Sequence, residues 1–437
     1  MNESTTKRVP YRGLLVFLAI ILAQISQAGM LGNLQSLLLE PVSTSLNISR
    51  TLYSSLDALT QTVNLIVSLF MAALTFKIGI QNVFRIGIVS PILYCFCMYA
   101  AGTIENLSLP MLSLLIGIGQ GSLGVASCFA ATIPLATLIN NWFAKRRGTM
   151  VTVATAFSSL SSTVFSPIVA GWIRNYGWQT SLLWRGFIMI AAAVLVCVLV
   201  KEKPGPNDVR IWEGQTDDDK DAAKKRDTSE IGLTLGEALR TPRYYLLILF
   251  FFLAGGGVYA ANNVLPAYAT DLGHVELTGT LASIGMFTSM IVALMFGGLL
   301  ERFGGRRAFT PIIFIHVVGL LLLSKKNVGT TDLIIGAVCI GIAFVIFMGP
   351  TAILTRDMFG DKDFARVSSY PFAGFVAGFI VMYPLANVGY EYFGSYRQVF
   401  LLVAVLYVIC WLIMLYIGQD KFRAFHGKQQ PVQEAAE

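Results

Sequence analysis

Gly297-Gly298-Leu299-Leu300-Glu301-Arg302-Phe303-Gly304-Gly305-Arg306-Arg307 lies between an apolar run that includes Ile291 to Phe296 and another that begins at Ala308. So short a stretch, so basic and so rich in glycine, reads as a tight turn between two membrane-length helices. Glycines let backbones approach closely, and arginines hold such a turn on one side of a bilayer.

Composition agrees. The 437 residues are 55% hydrophobic and 13% charged, with a mean hydropathy of +0.66. A soluble chain carries about 25% charged residues, so most of this one faces lipid or other apolar helices. The formal charge of +7 does not indicate a nucleic-acid partner. The basic residues are spread over short inter-helix loops and form no single patch. Cys95, Cys97, Cys128, Cys197, Cys339 and Cys410 all fall in apolar runs, which suits packing better than disulfides or zinc. The first apolar run, from Gly13, is too long for a signal peptide core and lacks a convincing cleavage site.

A helix needs about 20 apolar residues to cross the hydrocarbon core. About 12 segments qualify: 13–38, 52–76, 84–103, 111–139, 149–173, 181–200, 244–268, 279–300, 308–324, 333–355, 367–388 and 398–417. With both termini cytoplasmic, about 26 of the 32 Lys and Arg fall inside and about 6 outside, as the positive-inside rule requires. Residues 201–243 break the pattern with Asp217-Asp218-Asp219-Lys220-Asp221 and Lys224-Lys225-Arg226. They read as a cytoplasmic linker. Thr234-Leu235-Gly236-Glu237 near its end is a capping-box pattern and predicts a short surface helix before Pro242.

The linker separates a bundle in 1–200 from a second in 244–437, which carries a short cytoplasmic tail. The two share spacings. Pro134 precedes Phe143 by nine positions and Pro350 precedes Phe359 by nine; Pro167 precedes Gly177 by ten and Pro384 precedes Gly394 by ten. The offset between the halves is 216 residues for the first pair and 217 for the second.

The pattern Gly-x-Leu-x-acid-Arg-x-Gly-x-Arg-Arg at 297–307 resembles the signature loop of the major facilitator superfamily. Other segments resemble its oxalate/formate antiporter and monocarboxylate transporter branch. They are Asn141-Trp142-Phe143-Ala144-Lys145-Arg146-Arg147-Gly148, then Thr234 to Pro242, then Leu265-Pro266-Ala267-Tyr268-Ala269-Thr270-Asp271-Leu272-Gly273. The resemblance implies an all-α membrane protein of twelve transmembrane helices in two pseudo-symmetric six-helix bundles. It implies a carrier in the cell membrane, a symporter or antiporter, and no enzyme. Gly297, Glu301, Arg302, Gly304, Arg306 and Arg307 are then its signature and gating residues.

Two departures bear on cargo. Carboxylate carriers of that branch usually place a cation in the eighth segment, where this chain has Ala293, and some use a Lys in the eleventh, where 367–388 has none. A small dianion such as oxalate is therefore disfavoured, because its charge would go uncompensated. The first-half counterpart of the signature is degraded to Phe76-Lys77-Ile78-Gly79.

Candidate transport residues come from polar positions inside apolar segments. In the second, Ser54, Asp57, Gln61, Asn64 and Ser68 recur at steps of 3, 4, 3 and 4. At about 100° per residue they share a stripe roughly 80° wide. It lines an aqueous path or bonds a neighbouring helix. Asp57 is the only acid inside a segment, and a lone carboxylate there is the candidate proton-coupling group. Its structural alternatives are an ion pair, with Arg185 at similar depth, or an outer-gate hydrogen bond. Thr155, Ser158, Ser159, Ser162 and Ser166 form a second stripe that reads as close packing or as ligand contact. Gln24, Gln27 and Gln35 share a face of the first segment. In the seventh, Gly255-Gly256-Gly257 before Tyr259, Asn262, Asn263 and Pro266 predicts a broken or bending helix. Gln120 and Tyr370 complete the substrate candidates. Ala373, Gly374, Ala377 and Gly378 read as packing, as does His316. Asn47 and Asn106 match glycosylation acceptors in very short outer loops, which makes chance matches of them. No phosphate loop, metal-ligand cluster or nucleophile–base pair appears, and no cofactor is implied.

The expectation is a monomeric secondary transporter working by alternating access, moving a small organic acid or related amphipathic metabolite together with a proton or against a counter-solute. Efflux of a hydrophobic drug or metabolite is the runner-up, and a transporter-like sensor the reading from another class.

Overall fold

The computed structural model describes residues 11–130, 132–205, 208, 211, 232–347, 350–360 and 362–417. Much of the linker, 212–231 above all, and the tail from 418 therefore lie outside the described residues. The chain divides into two units, one of Met1–Ser49 with Leu56–Thr216 and one of Arg50–Ser55 with Asp217–Glu437.

The first unit contains α1 (Tyr11–Ala23), α2 (Leu39–Ser45), most of α3 (Arg50–Leu69), α4 (Met71–Ile78), α5 (Ile80–Thr103), α6 (Leu109–Phe129), α7 (Thr132–Trp142) and α8 (Arg147–Leu199). The second contains α9 (Leu235–Ala238), α10 (Pro242–Asp271), α11 (Thr278–Leu323), α12 (Thr330–Ala343), α13 (Pro350–Phe359), α14 (Phe364–Phe393) and α15 (Tyr396–Ile417). Among the described residues eight helices are long and apolar enough to cross a membrane, and Arg307–Leu323 and Thr330–Ile346 are shorter apolar helices. Arg147–Leu199 holds two of the expected segments, parted at Gly177, whose φ of 84° is costly for any residue with a Cβ. α3 is not among the eight, because its polar stripe lowers its hydropathy. The fold is the all-α, multi-pass membrane architecture that the apolar segments predict.

Three local outcomes matter. First, the capping box forms: Glu237 Oε2 accepts from Thr234 N at 3.0 Å and from its hydroxyl at 3.1 Å, and α9 follows at once. Second, 297–307 is not an open turn, because helical backbone continues through it within α11, with the apolar spans Val275–Phe296 and Arg307–Leu323 on either side. The side chains of Glu301 and Arg306 lie outside the described residues. Arg302 lies 5.4 Å from the centre of the Phe303 ring, and Arg307 is exposed.

Third, the glycine triplet does not break its helix. The helix α10 runs unbroken from Pro242 to Asp271. Its glycines serve contact instead: a Cβ on Gly256 would come within 2.6 Å of the Gly378 carbonyl. So α10 and α14 touch backbone to backbone, which explains both the triplet and the small residues of 373–378. Tyr407 on α15 closes the same region, its hydroxyl donating to Ala254 O at 2.5 Å. His316 is buried with its ring 4.3 Å from that of Tyr407, as packing requires.

The second unit also takes in the first turn of α3. Arg50 meets Asp271 with both guanidinium nitrogens, at 2.7 and 2.8 Å. It also lies over the Tyr390 ring, 4.3 Å from its centre. The Thr51 N–H donates to Glu391 at 2.9 Å.

The described linker residues are stitched to the helix ends. Ile211 N donates to Trp142 O and Ala144 N to Ile211 O, at 2.9 and 3.0 Å. Leu233 N donates to Phe359 O at 2.8 Å. The Gly205 N–H, then Arg12, hold the Asp208 carboxyl below the usual carboxylate range.

Candidate functional site

The irregular helix is the first one. After α1 the backbone turns π-helical over Gln24–Leu31 and then 3₁₀-helical over Gly32–Leu37. Such changes of register are uncommon, and π turns occur frequently at functional sites. No proline causes them here; Gly29 and Gly32 are the only backbone-permissive residues in the stretch. The cause is tertiary. Carbonyls that leave the α register need new donors, and neighbouring helices supply them. Ser161 Oγ donates to Ile25 O at 2.8 Å and Ser162 Oγ to Gly29 O at 2.9 Å. Arg185 Nη1 donates to Met30 O at 3.4 Å. In the opposite direction, Gln24 Nε2 of the stretch itself donates to Ala130 O at 2.9 Å.

The serine stripe of α8 is therefore mainly a packing and capping surface. Ser158 is buried and donates to Thr155 O within its own helix, at 2.8 Å. Asn33 donates to Ser162 Oγ at 2.9 Å.

Gln35 joins the 3₁₀ stretch to α5, α3 and α6 through a buried polar network. Tyr94 donates its hydroxyl proton to Gln35 Oε1 at 3.0 Å. Gln35 Nε2 donates to Gln120 Oε1 at 3.2 Å, and Thr60 Oγ1 donates to the same oxygen at 2.8 Å. Gln35, Thr60, Tyr94 and Gln120 are all buried. One acceptor thus takes two donors, and Gln120 Nε2 is left with no partner.

Arg185 adjoins this network on α8. It is fully buried at 0% exposure. Its Nε and Nη2 have no hydrogen-bond partner. Tyr94 is in electrostatic reach of both Arg185 and Asp57. Asp57 is buried too, yet no ion pair joins it to Arg185. The pairing that their similar depth suggests is not made. The sequence marks Arg185 by more than its depth: it is the one charged residue inside 181–200.

The structure places the other candidates less uniformly. Gln24 and Gln27 are buried at the π stretch. Gln61 and Asn64 are half-buried, one turn and two turns beyond Asp57 along α3. In the second unit Tyr259 stacks on Phe379 with ring centres 4.3 Å apart and planes at 15°. Asn263 returns its amide to Tyr259 O at 2.8 Å. Asn262 is half-buried beside Gly285. Tyr370 is 47% exposed and meets Tyr244 edge-on at 6.5 Å. Gln120 belongs to the network around Gln35 in the first unit, and Tyr259 and Asn263 to a second group. Among the described residues no group of His, Cys, Asp or Glu could hold a metal.

Comparison with known proteins gives a family and a fold. The model of the Major Facilitator Superfamily matches residues 16–324 and 247–432. A mutant form of the nucleoside transporter NupG matches in structure with a TM-score of 0.70 at 12% identity, covering 92% of this chain and 99% of that one. A second NupG structure matches at 0.66 and 13% identity, covering 93% and 98%. No curated protein matches the sequence.

Proposed function

The chain belongs to the Major Facilitator Superfamily and is a small-molecule transporter, not an enzyme, and from that premise we propose that it couples the movement of a small organic acid to the movement of protons. The resemblance of 141–148, 234–242 and 265–273 to monocarboxylate and oxalate/formate carriers supports the substrate class. The observation that carries the reading is the interior of the first unit. Among the described residues Arg185 is the one buried Arg or Lys and Asp57 the one buried acid; both are in electrostatic reach of Tyr94, which belongs to the Gln35–Gln120 network, and they do not neutralise each other. A permanent ion pair would fix both groups; their separation leaves the cation for a substrate anion and the acid for a proton.

Coupling follows from charge. Moving an uncompensated carboxylate through a low-dielectric interior is costly. A proton moving with the anion cancels that charge, and Asp57 is the group proposed to hold it. Gln61 and Asn64, beyond it on the same face of α3, offer neutral hydrogen-bonding groups along the way. The plasma membrane as location, and a monomer as the working form, complete the proposal.

Uptake of labelled lactate, acetate and benzoate into proteoliposomes, with and without an imposed pH gradient, tests this. Accumulation of at least one acid driven by an inward proton gradient is expected. Uridine serves as the contrasting cargo, since the structurally similar NupG is a nucleoside transporter. Uptake of uridine with none of the acids would overturn the proposal.

A further inference from the structure

We infer that Arg185 and Gln120, with Tyr94 and Gln35 beside them, form a subsite for the single carboxylate of a monoanionic substrate. This rests on the organic-acid reading above and gives it an atomic address.

The argument is an accounting of donors. In this cluster three buried N–H-bearing atoms lack acceptors: Arg185 Nε, Arg185 Nη2 and Gln120 Nε2. All three are donor atoms. A buried polar group without a partner costs free energy, and an unpaired buried charge costs more. The amide oxygens of the network are engaged by other donors, Gln120 Oε1 by Gln35 and Thr60 and Gln35 Oε1 by Tyr94, and no ion pair brings the Asp57 carboxylate to Arg185. What is missing is a group that only accepts. A carboxylate is that group, and the planar guanidinium fork is shaped to bind it through two nitrogens at once.

Two features sharpen the ligand class. The site carries one fixed positive charge, which balances a monoanion and leaves half of a dianion's charge unmatched. Neutral amides and a phenol supply the rest, which suits a carboxylate on a small polar or aromatic body. The absence of a cation at Ala293 and along 367–388 is then no obstacle, because the charge sits on α8 instead.

In this conformation Arg185 is fully covered, and its Nη1 is turned to Met30 O at 3.4 Å, the long end of a hydrogen bond. Met30 belongs to the π-helical stretch. Movement of that stretch frees Nη1 and opens the fork. A carboxylate is the stronger acceptor of the two and displaces the carbonyl.

The test uses the purified full-length protein in proteoliposomes and in detergent. Initial uptake of lactate and benzoate is measured for the wild type, Arg185→Gln, Arg185→Lys and Gln120→Leu, alongside thermal stabilisation by each acid, by its amide and by sodium nitrate. Arg185→Gln is expected to raise KM by about 10- to 100-fold, the range of a charged hydrogen bond. Arg185→Lys retains charge without the fork and is expected to fall between. Gln120→Leu keeps the charge and is expected to raise KM several-fold, which guards against misfolding of the Arg185 variants. The amides are expected to give no stabilisation. If acids are transported and a monodisperse Arg185→Gln protein keeps the wild-type KM, the subsite is wrong and the organic-acid function stands. If no acid binds but nitrate stabilises the wild type and not Arg185→Gln, the anion site stands and the function is wrong. If neither acid nor nitrate acts through Arg185, both fall.

Discussion

Ser162 Oγ lies 2.9 Å from the carbonyl oxygen of Gly29, and that carbonyl sits in a stretch where the first helix has left the α register. Ser162 Oγ also accepts from the Asn33 amide at 2.9 Å, and its own hydrogen can reach Ser158 O at 2.8 Å as well. One hydroxyl hydrogen therefore serves one of two carbonyls at a time. It holds the irregular backbone in place and leaves it able to shift.

Replacing Ser162 by Ala removes the donor to Gly29 O and the acceptor of Asn33. The expected cost is about 1–3 kcal/mol, that of leaving buried polar groups unsatisfied. Chemical unfolding in detergent measures it. Ser162→Cys, a weaker donor of similar size, is expected to lose less. Equal stability of Ser162→Ala and wild type would show that Ser162 does not hold the π stretch.

The contact of Gly256 with Gly378 makes a second prediction. Gly256→Ala places a methyl 2.6 Å from the Gly378 carbonyl, so α10 and α14 must separate. Overpacking of this kind costs about 1–3 kcal/mol, and uptake should fall as well. Gly236→Ala is the control, because a Cβ there meets nothing within 4 Å.

Asp57→Asn keeps the shape and removes the titrating group. Accumulation driven by a pH gradient is expected to disappear, while exchange of labelled for unlabelled acid at equal pH continues. Unchanged pH-driven accumulation would exclude Asp57 from coupling and leave it a structural role.

Arg50 and Asp271 supply a fourth. Their side chains are 12% and 26% exposed, and the contact is two-pronged, so it is more than a surface ion pair. Arg50→Lys loses the fork and weakens the contact with the Tyr390 ring. A loss of about 1–2 kcal/mol in unfolding free energy is expected. Asp271→Asn in the Arg50→Lys background should then cost less than it does alone, because the two residues act on each other.

The parts of the fold that the sequence announces are those decided by local physics. Apolar runs of membrane length became helices, and Thr234 with Glu237 closed the predicted capping box. The small residues at 373–378 proved to be a helix contact because only backbone fits there. Where sequence reading missed, tertiary contact was the deciding term. Gly255–Gly257 looked like a weak point, but α14 and α15 pack on it and the helix stays whole. The segment from Gln24 to Leu37 looked like ordinary helix, but serines and an arginine on α8 draw its carbonyls out of register. Periodicity along one segment contains no information about donors on another. For the same reason the polar stripe of α3 showed which face mattered and did not show that Asp57 and Arg185 stay apart.

The pairing of a wide helical turn with a tight one gives the first segment length in reserve. A 3₁₀ turn rises about 2.0 Å per residue against about 1.5 Å in an α-helix. Passing the six residues from Gly32 to Leu37 between those registers changes the reach of the segment by on the order of 3 Å. The wide turn behind them can absorb that change as slack. The C-terminal end of the first segment can thus slide and swivel with its backbone bonds exchanged rather than lost, carrying Asn33 and Gln35 round with it. A carrier built this way needs no hinge in its first segment, because the thread itself can be taken up or paid out.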